Sequence, residues 1–159
     1  MAKAMTPGRK AHDHKTLKDV PSVMEDKAVY ATGVTTLTPF EKMQMAQKGV
    51  SKICLEKLKN MANLDYQKLA TALAVTRATL INKKKQEKFN ASLSERIVGL
   101  ADLYDYGFKV FEDEEKFNRW MVAPNKALGG KAPFDIINSQ FGREEVKNIV
   151  GRIEYGVYS

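Results

Sequence analysis

The chain has 159 residues, of which 43% are apolar and 28% are charged, a composition typical of a folded protein with one or two small domains. No stretch approaches the roughly 18 consecutive apolar residues of a membrane span, and the N-terminal residues lack an apolar signal segment, so we expect a cytoplasmic protein that does not engage membranes. Cys54 is the only cysteine, which excludes an intrachain disulfide and a thiolate metal cluster.

The net charge of +7 divides unevenly along the chain. Residues 1–35 carry 6 Lys/Arg against 4 Asp/Glu, residues 36–91 carry 11 against 4, and residues 92–159 carry 9 against 11. A polyanion such as DNA is therefore expected to bind the middle part. We take the same three ranges as the predicted domains.

Residues 1–35 are polar and basic, are interrupted by Pro and Gly, and show no sustained apolar period. We expect a disordered tail. The pattern becomes helical from Thr38, a suitable N-cap, followed by Pro39 in the first turn of a helix that would end at Gly49. The apolar face of this helix is predicted to comprise Phe40, Met43 and Ala46. A second helix is expected from Ser51, with Ile53, Leu55, Leu58 and Met61 as its apolar face.

The next two helices have the spacing of a helix-turn-helix motif. Asp65 and Thr76 are the predicted N-caps, and Ala74 occupies the turn, where Gly is usual because the backbone φ is positive. The buried positions would be Leu69, Ala70, Leu73, Val75 and Leu80. The second helix would present four side chains to the major groove, those of Arg77, Thr79, Asn82 and Lys83. Lys84, Lys85 and Lys88 would mainly hold phosphates. The predicted DNA-binding residues are Thr76, Arg77, Thr79, Asn82, Lys83, Lys84, Lys85 and Lys88. An ordinary helical pair with a solvated lysine run is the alternative.

Residues 92–159 are also expected to be helical. The longest helix would begin near Ser92 or Ser94, with an apolar stripe formed by Leu93, Ile97, Leu100, Ala101, Tyr104, Phe108 and Phe111. Acidic residues 112–115 would open the next helix, which would bury Phe117, Trp120 and Met121 and end at Pro124. The glycine-containing segment 124–133 is predicted to be a tight turn, because it lacks the spacing of a phosphate-binding loop. A final helix is expected from Arg143 to Tyr155.

This C-terminal part carries many residues at a characteristic spacing. They are Phe111, Glu114, Glu115, Arg119, Trp120, Pro124, Asn125, residues 127–131, Pro133, Gly142, Glu145, Val146 and residues 152–158. Over about residues 64–159 the chain thereby resembles the Xre/MbcA/ParS-type antitoxins with their toxin-binding domain. The middle part departs from that pattern, since lysines replace a compact arginine-rich recognition helix.

The resemblance implies a two-gene module. The partner would be a RES-domain toxin encoded by the adjacent gene, which consumes NAD or uses it for ADP-ribosylation. The antitoxin would dimerise, occlude the active site of the toxin and repress the shared operon by binding operator DNA. The toxin-binding residues implied are Arg152, Tyr155, Gly156, Val157, Tyr158 and Ser159, with Leu128, Gly129 and Gly130.

Two hypotheses from different classes remain at this stage. The first is an all-α antitoxin, a helical bundle with an Xre-like helix-turn-helix part and a toxin-binding part after a disordered basic tail. The alternative is a stand-alone helix-turn-helix regulator whose C-terminal domain dimerises or senses a small molecule. An enzyme is not expected, because Cys54 has no neighbouring His and no catalytic carboxylate pair, metal site or cofactor fingerprint is present.

Overall fold

The computed structural model describes residues 33–157, and within that range the secondary structure is helical without a strand. The α-helices are α1 (Pro39–Lys48), α2 (Lys52–Met61), α3 (Tyr66–Ala72), α4 (Arg77–Ile81), α5 (Ala91–Phe111), α6 (Glu114–Val122) and α7 (Gln140–Glu154). Three 3₁₀ helices span Val34–Thr36, Lys126–Leu128 and Pro133–Asp135. The predicted all-α fold is confirmed for this part of the chain.

Helix α5 is the longest helix of residues 33–157, and several other helices pack against it. It is 21 residues long and packs against α1, α6, α7 and the first 3₁₀ helix. Its predicted apolar stripe is buried or packed against the core. The helix starts at Ala91, slightly before the predicted position, because the Asn90 side chain accepts a hydrogen bond from the backbone N–H of Leu93 at 2.9 Å. One hydrophobic core, which extends from Val34 to Val150, therefore joins the regions on either side of α5.

The bounds of α1 are those predicted. Thr38 and Glu41 form a capping box, in which the Thr38 N–H donates to the Glu41 carboxylate at 2.8 Å and lowers the pKa of that carboxyl. The predicted apolar face of this helix is confirmed for Ala46, which is buried, and wrong for Phe40 and Met43, which are 62% and 46% exposed. The helix instead turns Lys42 toward α5, where its Nζ pairs with the buried Asp102 at 2.7 Å.

Three residues of the predicted disordered tail are ordered. Gly33 caps the 3₁₀ helix that follows it, Val34 is buried, and the backbone N–H of Thr35 donates to Asp105 on α5 at 2.8 Å. The tail prediction is therefore wrong for residues 33–35, which are fixed by contacts with α5. Residues 1–32 lie outside the described residues.

The last helix begins three residues earlier than predicted. Ser139 is its N-cap and accepts a hydrogen bond from the backbone N–H of Gly142 at 3.0 Å. Gly142 lies so close to the main chain that an added Cβ would come within 1.7 Å of the Ile136 carbonyl oxygen. A glycine is therefore required for the first turn of α7 to pack against the segment before it.

Candidate functional surfaces

The turn between α3 and α4 has the geometry that the sequence predicts. Asp65 caps α3 by accepting from the backbone N–H of Lys68 at 2.7 Å, and Thr76 caps α4 by accepting from that of Thr79 at 3.2 Å. Between the two helices Ala74 has a φ of 51°. A non-glycine residue pays about 1–2 kcal/mol for this left-handed conformation. The hydrogen bonds Ala74 N–H to Thr71 and Val75 N–H to Ala70 complete a Schellman motif that satisfies the end of α3.

The side chains that hold the two helices together are those predicted, apart from Val75, which is only partly buried. The fully or nearly fully buried residues are Leu69, Ala70, Leu73 and Leu80. Ala70 is small enough for α3 and α4 to approach closely, and Leu80 packs the inner side of α4 into the core. The opposite side of α4 is exposed to solvent.

The predicted DNA-binding residues fall into two groups. Thr76, Arg77 and Thr79 are exposed on the N-terminal turn of α4, and Asn82 is exposed at its C-cap. The remaining four, Lys83, Lys84, Lys85 and Lys88, follow the helix in the connection to α5. All of them are exposed except Lys83, which is partly buried. The prediction that Lys83 projects from the second helix is therefore wrong.

The early end of α4 has a long-range cause. The chain must return to the start of α2, where Ser51 and Lys88 form an antiparallel β-bridge. The backbone N–H of Phe89 donates to Val50 at 2.8 Å, and the Phe89 side chain is buried. We infer that Phe89 reaches Val50 because the chain turns back soon after Ile81 instead of continuing as a helix. The lysines thus lie on a fixed turn rather than on the helix.

The C-terminal end of α7 is rigid and exposed at the same time. The N–H of Gly156 donates to Ile153 at 3.1 Å and that of Val157 to Arg152 at 2.9 Å, a second Schellman motif in which Gly156 has a φ of 68°. Tyr155 is 81% exposed and Val157 is 57% exposed. They do not belong to the buried core. Tyr158 and Ser159 lie outside the described residues.

The predicted turn of segment 124–133 is confirmed. Gly129 and Gly130 have φ values of 64° and 87°, and an added Cβ would meet nothing at either position, so positive φ is the reason for glycine here. The Asn125 side chain caps the 3₁₀ helix by accepting from Ala127 N–H at 2.9 Å. Both glycines are exposed, and Leu128 is partly buried.

Two grooves flank the end of α7. One, of about 200 Å³, is lined by Trp120, residues 125–127, Ile149, Arg152, Ile153 and Val157. The other, of about 500 Å³, is lined by Tyr106, Lys147, Asn148, Gly151, Arg152, Tyr155 and Val157. The structure thus brings Arg152 and Val157 together with the start of the glycine turn, whereas Tyr155 lines only the second groove. Leu128, Gly129 and Gly130 follow that segment but do not line either groove.

Sequence reasoning missed Tyr106 at this surface. Its hydroxyl donates to Glu154 on α7 at 2.5 Å, and burial together with that carboxylate raises the pKa of Tyr106 to about 12. Tyr106 lies off the predicted apolar stripe of α5, so the signal was an aromatic residue that the helical period did not assign to the core. The hydrogen bond joins α5 to the end of α7.

The surroundings of Cys54 and the grouping of possible metal ligands are described for residues 33–157. Cys54 is buried and its Sγ accepts a hydrogen bond from the Ser51 hydroxyl at 3.2 Å. No three His, Cys, Asp or Glu side chains in this range are grouped as a metal site would require. The same range contains no helix with the length and apolar character of a membrane span.

Comparisons with known proteins find relatives of the C-terminal part. Residues 107–156 match the model of the antitoxin Xre/MbcA/ParS C-terminal toxin-binding domain, a range that includes α6, α7 and both grooves. Antitoxin Xre of Photorhabdus laumondii subsp. laumondii is 34% identical over 73 residues, which cover 45% of this chain and 49% of that relative. The present chain thus spans about half the length of this relative.

Two further relatives match over longer ranges. Antitoxin Xre of Yersinia enterocolitica is 26% identical over 113 residues, or 70% of this chain and 76% of the relative. A protein of Sphingobium sp. named Prs ADP-ribosylating antitoxin is 26% identical over 133 residues, or 77% of this chain and 83% of the relative. The resemblance drawn from the residues alone is confirmed.

Proposed function

We propose that this chain is an antitoxin of the Xre/MbcA/ParS type with a toxin-binding domain at residues 107–156. It would occlude the active site of a RES-domain toxin and repress its own operon. The observation that carries the proposal is the exposed end of α7. There Tyr155 and Val157 are held in a fixed conformation beside two grooves. Its role is to bind, and no reaction is assigned to the chain itself.

The end of α7 suits insertion into a partner. Aromatic side chains supply much of the binding energy at interfaces, and an ordered backbone reduces the entropy that is lost on binding. The Schellman motif at Gly156 fixes the direction in which the chain leaves the helix. Residues 155–159 would form the plug, with Arg152 and Leu128, Gly129 and Gly130 at its edge.

The chemistry of the toxin is inferred from the family. One relative is named as an ADP-ribosylating antitoxin, which agrees with a partner that attacks NAD or transfers ADP-ribose from it. Such a toxin needs an open pocket for a dinucleotide, and a plug that fills this pocket would block substrate entry. The gene adjacent to that of the antitoxin would encode the toxin.

The helix-turn-helix surface supports operator binding. Thr76, Arg77 and Thr79 lie on the exposed side of a short helix whose inner side is buried, which is the arrangement of a major-groove reader. The fixed turn with Lys83, Lys84 and Lys85 adds three positive charges beside it. Arg77 and Asn82 can read base edges, whereas the lysines would contact phosphates.

We further propose that the antitoxin is a homodimer. Operators read by helix-turn-helix proteins are commonly two-fold symmetric, and a dimer presents two recognition helices to successive major grooves. Exposed Phe40 and Met43 on α1 provide an apolar surface for such contacts. Light scattering of the purified protein measures the mass directly, and a monomer at micromolar concentration would contradict a dimer.

The toxin hypothesis is tested by co-expression with the product of the neighbouring gene. A chain that lacks Tyr158 and Ser159 should fold as the full chain does but fail to protect the cell, so cellular NAD should fall. Circular dichroism of the purified variant controls for folding. Full protection by the shortened chain would remove the plug from the mechanism.

A further inference from the structure

The side chain of Arg96, on α5, holds the turn between α3 and α4. Its Nη1 donates to the carbonyl oxygens of Leu73 at 2.8 Å and Ala74 at 3.2 Å, and its Nε and Nη2 donate to Ser92 at 3.4 and 3.5 Å. The carbonyls at a helix C-terminus lack intrahelical partners, and a cation there also complements the helix dipole. Arg96 therefore ties the scaffold helix to the turn that sets the direction of α4.

The other end of α4 is held by Lys52, on α2. The Nζ of Lys52 donates to the carbonyl oxygen of Ile81, the last residue of α4, at 2.6 Å. The same Nζ lies 5.9 Å from the centroid of the Tyr66 ring, and the backbone N–H of Lys52 donates to Glu87 at 3.1 Å. A cation thus lies on each side of α4, Arg96 at the turn that precedes it and Lys52 at its last residue.

Helix α4 needs such contacts, because it is only five residues long. A helix of this length is not stable by itself in water. Leu80 is its only buried side chain, and a single buried side chain anchors a helix without fixing its tilt. We infer that the tilt of α4 is set by Arg96, which binds the turn before the helix, and by Lys52, which binds its last residue.

We propose that Arg96 and Lys52 are positioning residues for DNA recognition, an inference that rests on the proposed operator binding. They hold α4 at the angle at which Thr76, Arg77 and Thr79 reach the major groove together. In this arrangement the observed hydrogen bonds of both cations go to the protein: all three guanidinium nitrogens of Arg96 donate to protein oxygens, and the Lys52 ammonium donates to Ile81. We therefore assign neither side chain a contact with DNA.

The test is the binding of the full chain to its own promoter DNA at several salt concentrations. Arg96→Gln should weaken binding about tenfold while the slope of log K against log salt stays unchanged, because no phosphate contact is lost. Arg96→Lys should recover part of the affinity, since an ammonium can still donate to one of the two carbonyls. Lys52→Met, which keeps the apolar stem, should act in the same direction as Arg96→Gln.

Arg119→Gln is the matched control. Arg119 is 71% exposed on α6 and pairs with Glu115 of the same helix, so its loss removes the same charge without removing a contact to α4 or the turn before it. Hydrogen exchange should become faster at residues 73–82 in Arg96→Gln and stay unchanged at the end of α7, and toxin binding should also be unchanged. Unfolding of the whole chain would instead affect all of these regions.

Two results would overturn the inference alone. One is promoter binding by Arg96→Gln that equals that of the unchanged protein, and the other is a decrease of the salt slope by about one, which would make Arg96 a phosphate contact. If the unchanged protein itself does not bind its promoter, the proposed operator binding fails and the inference fails with it.

Discussion

Gly107 on α5 lies directly against the ring of Phe117 on α6. A Cβ added at Gly107 would come within 2.2 Å of Phe117 Cζ. Phe117 is fully buried and its ring centroid lies 5.2–5.7 Å from four others. These rings belong to Tyr104, Phe108, Phe111 and Trp120. The missing side chain at position 107 therefore sets the distance between α5 and α6.

Gly107→Ala is expected to destabilise the protein. The methyl group would displace Phe117 in a packed cluster, at a cost of about 1–3 kcal/mol that exceeds the gain of about 1 kcal/mol in helix propensity. Thermal or urea unfolding measures the difference. Gly151→Ala on α7 is the matched control, because its Cβ would lie 3.4 Å from the Tyr106 hydroxyl, an ordinary contact. Equal stabilities of the two variants would contradict this account of the α5–α6 packing.

Asp102 joins three helices through its carboxylate. It is buried on α5, and its two oxygens accept from Lys42 of α1 at 2.7 Å and Lys147 of α7 at 2.5 Å. Burial alone would raise the pKa of Asp102, but the hydrogen bonds and charges of Lys147 and Lys42 outweigh burial and lower it. The ionised form is thus stabilised in the folded state.

The contribution of Asp102 should therefore depend on pH. Because its pKa is lower in the folded state, the stabilisation is complete above the pKa of about 3.9 in the unfolded chain and is lost as pH falls through the folded value. Asp102→Asn should lower stability at pH 7 by about 2 kcal/mol and flatten the acid side of the stability curve. Glu115→Gln, at a highly exposed position on α6, should do neither. An unchanged acid limb in Asp102→Asn would show that other carboxylates govern acid unfolding.

The helix-turn-helix could be predicted from the sequence because its determinants are local. Asp65 and Thr76 cap helices through hydrogen bonds to residues three positions later, and the break at Ala74 needs only a positive φ. Helix caps and turns of this kind are specified by a few neighbouring residues. These features can therefore be predicted without knowledge of the rest of the fold.

The wrong predictions concern features that are set by residues distant in the sequence. The face that α1 buries depends on Asp102, which lies 60 positions after Lys42 and attracts its ammonium. The end of α4 depends on the bridge between Ser51 and Lys88, which no local pattern encodes. On the toxin-binding surface the exposed Tyr155 was predictable as an unusual residue, whereas Tyr106 enters only through its contact with Glu154.

Helix α7 has one exposed aromatic residue near each end, so the two ends can be tested separately by substitution. Tyr155 is 81% exposed at the C-cap, and Phe141 is 83% exposed in the first turn. Tyr155→Ala is expected to weaken toxin binding about thirtyfold or more, in line with the loss of an aromatic anchor at an interface. Phe141→Ala removes a similar exposed area and should leave the affinity unchanged. Calorimetry with the purified toxin measures both, and a larger loss for Phe141→Ala would place the toxin at the opposite end of the helix.

The lysine turn should determine how strongly DNA binding depends on salt. Changing Lys83, Lys84 and Lys85 to Ala together is expected to reduce the slope of log K against log salt by up to about 2.7, since each phosphate neutralised contributes about 0.9. The control removes the same number of charges at exposed Lys116, Lys126 and Lys131 in the toxin-binding domain.

Fluorescence anisotropy with promoter DNA at about 50–300 mM salt, a range over which the Debye length shortens appreciably, gives both slopes. The control should change the slope by less than about 0.5, because long-range attraction is screened while direct phosphate contacts release counterions. Equal decreases in the two triple variants would mean that the overall charge of the protein, and not the turn after α4, attracts DNA. An unchanged slope in the first variant would move the phosphate contacts to other residues of the helix-turn-helix.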